Sequence, residues 1–381
     1  LGDIIQLKSG GTPDKSNPDY WGGSIPWISA KSMYDDFIST SDLFITEEGL
    51  QAGSKIAKKD SILLLTRGSG LFNRIPVCYV VSDVAYNQDV KNIVLKQEDV
   101  TSIKFLYYWL YGNKELLSSM LETTGIGAGK IDTKRFLNLS ISLPSQKEQA
   151  RYIHLMDLLF DKIELNRRIN ANLEAQAQAL FRSWFVGNDK QLGNYQTKSL
   201  TDIAQYLNGL AMQKFPPESI QNSLPVLKIK ELGQGLCDAS SDRCSTSIKP
   251  EYVINDGDVI FSWSGTLLVD VWCGGKCGLN QHLFKVTSDN YPKWFIFYWT
   301  KHHLDKFIRI AKDKAVTMGH IKRCDLESSE VKVPEKPILE YLDKIFTPLF
   351  DSMIAHRIEN RKLSALRDTL LPKLMAGEIK K

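Results

Sequence analysis

Residues 146–187 read QKEQARYIHLMDLLFDKIELNRRINANLEAQAQALFRSWFVG, and residues 336–377 read KPILEYLDKIFTPLFDSMIAHRIENRKLSALRDTLLPKLMAG. The second segment repeats the first at a shift of 190 places, without a gap. Identical residue types meet in this register, and in the first copy they include Leu159, Phe160, Asp161, Arg167, Asn170, Leu173, Leu180 and Gly187. A long segment that occurs twice indicates that the chain contains one architectural unit written twice.

Each repeated segment has the pattern of one long helix. Apolar residues such as Ile153 and Phe160 recur at alternating spacings of three and four, which is typical of a helix with a narrow apolar stripe. The first helix is predicted over residues 146–185, and Gly187 and Gly377 end the two copies at the same place. A helix of this length needs a partner helix, and the other copy is the obvious one.

Two matched asparagines, Asn170 and Asn360, lie in the middle of the two predicted stripes. A polar residue in such a seam costs stability but fixes the register of the paired helices, so we expect both to set the register. The alternative is that both face water at a local irregularity. A pseudo-dyad relating the two copies would make the helices antiparallel and place one globular domain at each end.

The parts outside the helices are predicted to be two similar globular domains. A shift of 199 aligns their starts, where Leu1, Asp3, Ile4, Gln6, Gly10, Pro26 and Lys31 meet the same residue types at Leu200, Asp202, Ile203, Gln205, Gly209, Pro225 and Lys230. Short apolar runs at 62–65, 77–81, 93–95 and 259–261 predict strands, and residues 102–121 predict a helix. The expected fold class is α+β, with two mixed α/β domains joined by two long helices in an antiparallel coiled coil and a pseudo-twofold internal repeat. The expected boundaries are 1–144, 145–187, 188–334 and 335–381.

The composition is that of a soluble globular protein, with 43% hydrophobic and 24% charged residues among 381. No apolar run approaches the roughly 20 residues that span a bilayer, and no signal peptide opens the chain, so we predict a cytoplasmic protein. The sequence begins at Leu1, so we expect a few native residues to precede it. The net charge of +4 permits nucleic-acid binding, although tight binding would need basic partner subunits.

The cysteines are expected to be reduced thiols. Four of them could in principle hold zinc, namely Cys237, Cys244, Cys273 and Cys277. Their spacing is looser than that of usual zinc sites, and Gly274 with Gly275 fits a hairpin turn equally well. We therefore predict no bound metal.

Catalytic motifs are weak throughout the sequence. Asn17-Pro18-Asp19-Tyr20 is similar to the catalytic loop of amino-methyltransferases, but Asp19 replaces a proline and a turn is the favoured interpretation. The segment 125–130 resembles a phosphate loop, but Thr124 stands where its first glycine belongs and Ile131 replaces the Ser or Thr that binds magnesium. We predict a chain with no catalytic activity of its own.

Several short motifs, in a fixed order, instead carry a family resemblance. They are Gly10-Gly11-Thr12-Pro13, Ile25-Pro26-Trp27-Ile28-Ser29, Asn280-Gln281-His282, Leu143-Pro144 and the C-terminal run Leu371-Pro372-Lys373-Leu374. Together with the duplication, they make the chain resemble the specificity subunit of type I restriction–modification enzymes, a host-defence system. The resemblance covers nearly the whole chain. Single motifs are weak, but their order and duplication are specific.

That resemblance implies a function and a set of partners. Each globular part would be a target recognition domain that reads one half of a split double-stranded DNA sequence. The paired helices would set the unread gap and dock two modification (methyltransferase) subunits, and restriction subunits would complete the complex. This chain would bind no cofactor, because S-adenosylmethionine belongs to the modification subunit, and ATP and Mg belong to the restriction subunit.

Candidate DNA contacts divide into two groups. Residues identical in both copies are poor base readers if the half-sites differ, so lysines near matched motifs are predicted phosphate contacts and the repeated Asn-Gln pairs are expected to brace loops or hold phosphates. This first group consists of Lys31, Lys230, Lys130, Lys322, Asn87, Gln88, Asn280 and Gln281. Base readers should lie in segments that differ, because arginine and asparagine suit guanine and adenine edges. The second group consists of Arg67, Asn73, Arg74, Trp263, Ser264 and Lys276. For the lysines, a solvated surface position remains the alternative.

Two other hypotheses stay open at this point. The chain could be a methyltransferase using residues 17–20, or a coiled-coil adaptor that binds proteins and no DNA. Apolar clusters near the helix ends could dock partner subunits or simply pack on the neighbouring domain. The clusters are Phe181, Trp184 and Phe185 in one copy, and Leu371, Leu374 and Met375 in the other.

Overall fold

The protein is described from a computed structural model, which describes residues 1–97, 99–125, 127–187, 192–313 and 319–378. The chain folds as two compact units, one formed by 1–161 with 365–381 and the other by 162–364. Each unit combines one globular domain with segments of both long helices. We call residues 1–144 domain 1 and residues 188–334 domain 2. The start of domain 2, residues 188–191, lies outside the described residues.

Eleven α-helices are described in these ranges. They are α1 (Glu47–Gly53), α2 (Ile103–Gly112), α3 (Lys114–Ser118), α4 (Thr133–Leu137), α5 (Gln146–Phe181), α6 (Leu200–Ile203), α7 (Ile229–Gln234), α8 (Lys293–His302), α9 (Leu304–Asp313), α10 (Arg323–Glu327) and α11 (Lys336–Met375). A π-helical segment, Arg182–Gly187, prolongs α5. The two predicted long helices are confirmed, with Gly377 ending the second in the left-handed conformation that favours glycine.

Strands of domain 1 form three sheets. They are β1 (Ile5–Ser9), β2 (Trp21–Ile28), β3 (Phe37–Ile38), β4 (Phe44–Ile45), β5 (Lys55–Ala57), β6 (Ile62–Leu65), β7 (Arg67–Gly68), β8 (Val77–Val80), β9 (Val84–Tyr86), β10 (Val90–Leu95), β11 (Leu121–Thr123) and β12 (Gly129–Ile131). The sheet orders are β1-β10-β6-β8-β3, β4-β2-β9-β5 and β11-β12-β7. The first sheet is mostly antiparallel, and its central runs are buried on both faces because α2 covers one side.

Domain 2 repeats this topology. Its strands are β13 (Tyr195–Ser199), β14 (Gln205–Asn208), β15 (Ser223–Leu227), β16 (Arg243–Ser245), β17 (Val253–Ile254), β18 (Val259–Ser262), β19 (Leu268–Val271), β20 (Cys277–Leu279), β21 (Leu283–Thr287) and β22 (Glu330–Pro334). The order β14-β21-β18-β19 matches β1-β10-β6-β8, and β16-β15-β20-β17 matches β4-β2-β9-β5, with the same parallel and antiparallel neighbours. The predicted internal repeat is therefore confirmed at the level of topology.

The predicted helix over residues 102–121 is present, but it is broken into α2 and α3. Asn113 separates them, and its side-chain amide donates to the carbonyl of Trp109 at 2.8 Å. An asparagine amide that satisfies a free carbonyl at a helix end makes a local stop, which apolar spacing alone does not reveal.

Within the second unit, α5 and α11 pack antiparallel. The amide of Asn170 donates to the carbonyl of Met353 at 3.1 Å, and the amide of Asn360 donates to the carbonyl of Ile163 at 3.1 Å. Met353 lies 190 positions after Ile163, just as Asn360 lies 190 positions after Asn170. The two bonds are therefore equivalent under the repeat, and each one is the counterpart of the other. Both bonds cross between the two helices, so neither asparagine side chain faces water alone. That the pair sets the register stays a prediction.

Two further side-chain contacts between the helices are equivalent under the same repeat. The amide of Asn166 donates to the side-chain oxygen of Asn360 at 2.9 Å, and Nδ1 of His356 lies 3.0 Å from the side-chain oxygen of Asn170. His356 occupies the repeat position of Asn166. Because Asn166 is fully buried, this polar network lies in the centre of the helix pair rather than on its surface.

Domain 2 is fastened to α11 by two bidentate ion pairs. Arg357 contacts Asp270 at 2.8 and 2.7 Å, and Arg361 contacts Asp256 at 2.6 and 2.8 Å. The Arg361 guanidinium holds the pKa of the Asp256 carboxyl below its usual range. Bidentate geometry fixes orientation as well as distance, so these pairs position the domain on the helix.

Within the residues that the structure describes, no helix is both long and apolar enough to cross a lipid bilayer.

Candidate nucleic-acid interface

The motifs that could have carried catalysis are turns. Asn17 caps a short 3₁₀ helix, Pro18–Tyr20, by accepting from the backbone N–H of Asp19 at 3.0 Å. Gly129 and Lys130 of the segment 125–130 belong to β12, which pairs antiparallel with β11, and the N–H of Thr124 donates to the Ala128 carbonyl between these strands at 2.8 Å. A phosphate loop precedes a helix, so this hairpin has the wrong architecture for one. Ile126 lies outside the described residues.

The cysteines predicted to be free thiols are unpaired in the structure. Among described residues, no group of three or more His, Cys, Asp or Glu side chains comes together as a metal site. Cys237 and Cys277 approach each other, and the pKa of Cys237 is lowered by a hydrogen bond from Cys277.

The repeated glycines and the repeated Asn-Gln pairs build the same local structure in both domains. The N–H of Gly11 donates to the Tyr86 carbonyl at 2.9 Å, and the N–H of Leu210 donates to the Leu279 carbonyl at 2.9 Å. A side chain at Gly10 or Gly209 would collide with the adjacent backbone, at 2.1 and 2.2 Å respectively. Glycine is therefore required where the first strand crosses the Asn-Gln turn.

The first asparagine of each turn braces it. The side-chain oxygen of Asn87 accepts from the N–H groups of Asp89 and Val90 at 3.1 Å, and that of Asn280 accepts from the N–H of His282 at 3.3 Å. Both asparagines are buried. This agrees with the expectation that the recurring asparagines hold loops in shape. Each turn consequently presents its third residue, Asp89 or His282, in an equivalent place.

Backbone bonds on either side of the turn extend the equivalence. The N–H of Thr66 donates to the Asp89 carbonyl at 2.9 Å, and the N–H of Trp263 donates to the His282 carbonyl at 3.4 Å. The N–H of Ile131 then donates to the Thr66 carbonyl at 2.9 Å, and the N–H of Ile321 to the Trp263 carbonyl at 3.1 Å. The same chain segments therefore meet in the same way in the two domains.

These shared bonds define a set of equivalent positions, which we call the matched frame. In domain 1 the frame consists of Ser9, Thr66, Arg67, Asp89, Lys91 and Lys130. In domain 2 it consists of Asn208, Trp263, Ser264, His282, Phe284 and His320. The residue type differs at every one of these six positions although the backbone pairing is the same.

The frame of domain 1 carries charged side chains. Arg67 and Lys130 are cross-strand partners on β7 and β12, and both are exposed. The Lys91 ammonium donates to the Ser9 hydroxyl at 2.7 Å. Burial lowers the pKa of Lys91, Arg67 lowers it further, and Asp89 opposes both. These charges therefore lie close enough to act on one another.

The frame of domain 2 carries aromatic and uncharged polar groups. The indole of Trp263 lies 5.8 Å from the ring of Phe284, 6.1 Å from that of His282 and 6.2 Å from that of His320. Its N–H donates to the side-chain oxygen of Asn208 at 3.0 Å. The hydroxyl of Ser264 lies 3.0 Å from Nδ1 of His282.

Two open cavities flank this second frame. One of about 570 Å³ is lined by Lys228, Lys230, Arg243, Asn280, Gln281 and His282, together with five other residues. The other, of about 550 Å³, includes Trp263 and Phe284 in its wall. The predicted residues Lys230, Trp263, Ser264, Asn280 and Gln281 are thus brought to one region of the domain.

The structure gives several other predicted contacts a local role. Arg74 donates through both terminal nitrogens to the backbone carbonyls of Met33 and Tyr34, so it braces a loop instead of projecting freely. Asn73 ends the 3₁₀ helix Ser69–Phe72 and is exposed. The side-chain oxygen of Gln88 accepts from the Thr12 hydroxyl at 2.6 Å.

The predicted lysines are exposed but do not all lie on the frame. Lys31 is in a short 3₁₀ helix, and Lys230 in α7 donates to the Ser240 hydroxyl at 3.0 Å. Lys322 is the N-cap residue of α10, and the counterpart of Lys130 is His320, not Lys322. Lys276 follows a turn in which Gly275 lies against the Arg361 guanidinium of α11. The DNA-binding role of each remains a prediction.

Eight of the twelve frame residues were not among the predicted contacts. They are Ser9, Thr66, Asp89, Lys91, Asn208, His282, Phe284 and His320. A signal did exist for His282, which directly follows the repeated Asn-Gln pair, but its counterpart Asp89 has a different chemistry. Lys91 and His320 have no motif of their own. Their place becomes visible only when the strand ladders are compared.

The apolar clusters near the helix ends pack on their own units. Phe181 and Phe185 are buried, and their rings lie 5.2 and 5.7 Å from that of Trp299. Leu371 is buried against Gly112 of α2. Packing on the neighbouring domain, the second of the two interpretations, therefore accounts for Phe181, Phe185 and Leu371, whereas docking of partner subunits near these helix ends stays a prediction.

Comparisons with known proteins agree with this architecture. A family model described as the type I restriction modification DNA specificity domain matches residues 1–175 and again residues 193–362. The MjaIX specificity subunit of a type I restriction enzyme from Methanocaldococcus jannaschii is 27% identical over 99% of this chain and 92% of its own length. The EcoR124I/EcoR124II specificity subunit from Escherichia coli is 31% identical over 41% of this chain and 39% of its own length.

Among solved structures, the S subunit of a type I restriction-modification system from M. genitalium superposes with a TM-score of 0.57 at 15% identity. The alignment covers 98% of this chain and 94% of that one. At this identity the likeness concerns the fold, and it includes both globular domains and both long helices.

Proposed function

Because the chain belongs to the DNA specificity family of type I restriction–modification systems, we propose that it reads a bipartite DNA sequence with one domain for each half-site. As a member of that family it is a DNA-recognition component of a restriction–modification complex, not the component that carries out catalysis. Of the observations above, the matched frame carries the half-site proposal. Two equivalent surfaces with different side chains are what two different half-sites require.

The long helices would set the gap between the half-sites. Helix α5 contains 36 residues and is therefore about 54 Å long at 1.5 Å per residue. The equivalent asparagine bonds would hold α5 and α11 in one register. A fixed register between two stiff helices would keep the gap constant, which a flexible linker would not.

The partners and cofactors follow from the same proposal. Two modification subunits would dock on this chain and supply the S-adenosylmethionine site, and restriction subunits would supply the ATP and Mg sites. With a net charge of only +4, the chain would depend on these subunits for much of the phosphate contact. It would act in the cytoplasm, where the DNA is.

Footprinting of the complex formed with its modification subunits tests the bipartite reading. We expect two short protected segments separated by an unprotected gap of constant length, and mapping of methylated adenines should return the same split motif. A single continuous footprint, or none, contradicts the proposal.

Equilibrium dialysis with S-adenosylmethionine tests the assignment of the cofactor. The chain alone should retain none, and the complex should retain it in proportion to its modification subunits. Retention by the isolated chain would favour the methyltransferase hypothesis.

A further inference from the structure

The matched frame raises the question of which bases each domain reads, and the answer rests on the proposed half-site function. The frame keeps its backbone bonds in both domains and changes its side chain at all six positions. The asparagine that stabilises the adjacent turn, by contrast, is the same in both domains, as Asn87 and Asn280. A surface that varies on a retained scaffold is suited to specificity, because the scaffold fixes where a side chain stands and the side chain decides what it binds.

We propose that the matched frame is the base-reading surface of both domains, with domain 1 reading a G·C pair and domain 2 contacting the methyl group of a thymine. The two frames thus differ in the class of base edge that they accept: hydrogen-bonding groups in one, an apolar group in the other.

In domain 1 the chemistry is that of a G·C pair. Arg67 and Lys130 stand opposite each other on neighbouring strands and are exposed, so both can donate to the O6 and N7 acceptors of a guanine. Asp89 is presented by the braced turn beside them, and a carboxylate accepts from the N4 amino group of cytosine. Lys91 has its ammonium on Ser9 and keeps the local charge positive.

In domain 2 the donors are replaced by a half-exposed aromatic surface. Trp263 and Phe284 stand at the positions of Thr66 and Lys91, and their rings lie 5.8 Å apart. The Trp263 N–H is already bonded to Asn208, so the indole offers its carbon surface rather than a donor. The thymine methyl is the one apolar group that a base pair shows in the major groove.

Packing alone does not account for these groups. The core of domain 2 contains other aromatic residues, such as Phe261 and Phe295, which are fully buried, and Trp263 and Phe284 pack against the edge of this core. Trp263 and Phe284 are only partly covered, and each lines the open cavity of about 550 Å³. His320 is exposed at the rim of the same cluster.

The test removes single atoms from the DNA and combines each change with a protein variant. The wild-type complex with its modification subunits first yields the split motif by mapping of methylated adenines. Oligonucleotides then carry 7-deazaguanine, which lacks N7, at each guanine of the first half-site. Others carry deoxyuridine, which lacks only the methyl group, at each thymine of the second half-site.

For domain 1, one 7-deazaguanine should weaken binding of the wild type by roughly 5- to 100-fold. The Arg67→Ala variant should bind DNA with 7-deazaguanine as tightly as it binds unmodified DNA, because it lacks the side chain that contacts N7. Lys55→Ala, an exposed cation on β5 outside the frame, should respond to the modified base like the wild type. Additive losses for Arg67→Ala, or a first half-site without a G·C pair, would overturn the proposal.

For domain 2, one deoxyuridine should weaken wild-type binding by roughly 3- to 10-fold. Trp263→Thr, which installs the residue of domain 1, should lose that sensitivity, while Trp263→Phe should keep part of it. Leu236→Ala, an exposed apolar residue outside the frame, serves as the control. Equal sensitivity in Trp263→Thr and the wild type would overturn this arm.

Thermal melting of each variant separates loss of recognition from loss of fold, and His320→Ala provides a second change at an exposed frame position. That variant should reduce affinity for the second half-site and leave the first half-site unaffected; no change, or an equal loss at both half-sites, counts against the proposal. Absence of a split motif in the wild type would reject the proposed function itself, whereas a split motif that is indifferent to the frame variants rejects only this inference.

Discussion

The centre of the helix pair and the matched frame are both products of the duplication, but they have kept different things. At the centre, both copies have retained the asparagine, as Asn170 and Asn360. Each donates to a backbone carbonyl of the other helix, and these carbonyls, of Met353 and Ile163, are again at equivalent positions of the two copies. On the frame, the backbone bonds are retained and no side chain is. A residue whose bond crosses to the other copy is constrained by that copy, whereas a residue that faces outward is constrained by its ligand.

This difference suggests how the two regions should respond to substitution. Changes at the helix centre should act on folding and on the register, and their effects should be coupled between the copies. Changes on the frame should act on recognition, one half-site at a time. Substitutions in the two regions, measured by stability and by DNA affinity, test that separation.

The double variant Asn170→Ala with Asn360→Ala should destabilise the protein by about 2–3 kcal/mol, because two partly buried amide bonds are lost and small cavities remain. Chemical denaturation measures this loss. It should include the cost of leaving Asn166 and His356 without their partners, which are Asn360 and Asn170 respectively.

Asn172→Ala is the matched control for the helix centre. It lies on α5 like Asn170, but its side chain is exposed and accepts a bond from Gln176 of the same helix. Its substitution should change stability by less than about 0.5 kcal/mol. Alanine favours a helix more than asparagine does, so helix propensity cannot lower the stability of this control. A comparable loss in the control would mean that the effect at the central asparagines does not come from their partners on the other helix.

His303 provides a difference in pH response between the two copies. Burial lowers the pKa of His303 to about 4, and its Nε2 lies 2.9 Å from the Glu330 carbonyl. The residue at the matching place in domain 1 is Asn113, which does not titrate. Because the folded protein disfavours the charged imidazole, this contribution to stability is complete above the unfolded pKa of about 6.5 and is lost as the pH falls towards 4.

The variant His303→Asn should therefore flatten the acid side of the stability profile. We expect the wild type to lose about 1–2 kcal/mol more than the variant between pH 7 and pH 4, after allowance for partial solvent screening. Denaturant unfolding at a series of pH values measures this. Parallel profiles for the two proteins would show that His303 is not the titrating group.

Arg67 and Arg74 lie in one segment of the sequence but are expected to have different roles, DNA contact for Arg67 and support of a loop for Arg74. Arg74→Ala should lower stability by about 1 kcal/mol, because it removes the donors to the Met33 and Tyr34 carbonyls. Arg67→Ala should leave the melting temperature within about 1 °C and reduce DNA affinity instead. If Arg74→Ala melts like the wild type and binds as poorly as Arg67→Ala, the assignment of the two arginines is reversed.

Lys276→Ala should have the smallest effect. This lysine is exposed beside the turn in which Gly275 lies against Arg361, and it is not one of the frame positions. We expect a change of less than about 0.5 kcal/mol in half-site binding, typical of a peripheral phosphate contact or none. A loss as large as that of a frame residue would extend the reading surface to this hairpin.

Much of the architecture was predictable because it depends on patterns that repeat. The apolar spacing of residues 146–185 and its copy predicted two long helices, and the matched asparagines predicted their register. Helix pairing needs only period and polarity, which a sequence shows directly. The break at Asn113 was not predictable in this way, since a side-chain bond to one carbonyl leaves the apolar spacing unchanged.

The candidate site was predicted less completely. Arg67, Trp263 and Ser264 were identified because they lie in segments that differ between copies, but Arg74 was grouped with them although it bonds within its own domain. Lys130 and Lys322 both flank a repeated glycine, yet only Lys130 lies on the frame, and Lys322 caps a helix. Sequence proximity to a motif does not tell which way a side chain points.

Repeats and periodicity in the amino-acid sequence are enough to establish the duplication, the two long helices and the family to which the chain belongs. The correspondence between the residues of one domain and those of the other becomes visible only in the folded chain. The reason is that the offset between copies drifts, from 199 at Ser9 and Asn208 to 193 at Asp89 and His282 and 190 at Lys130 and His320. Loops absorb these changes in length, and strand ladders, whose hydrogen bonds join residues far apart in the chain, restore the correspondence.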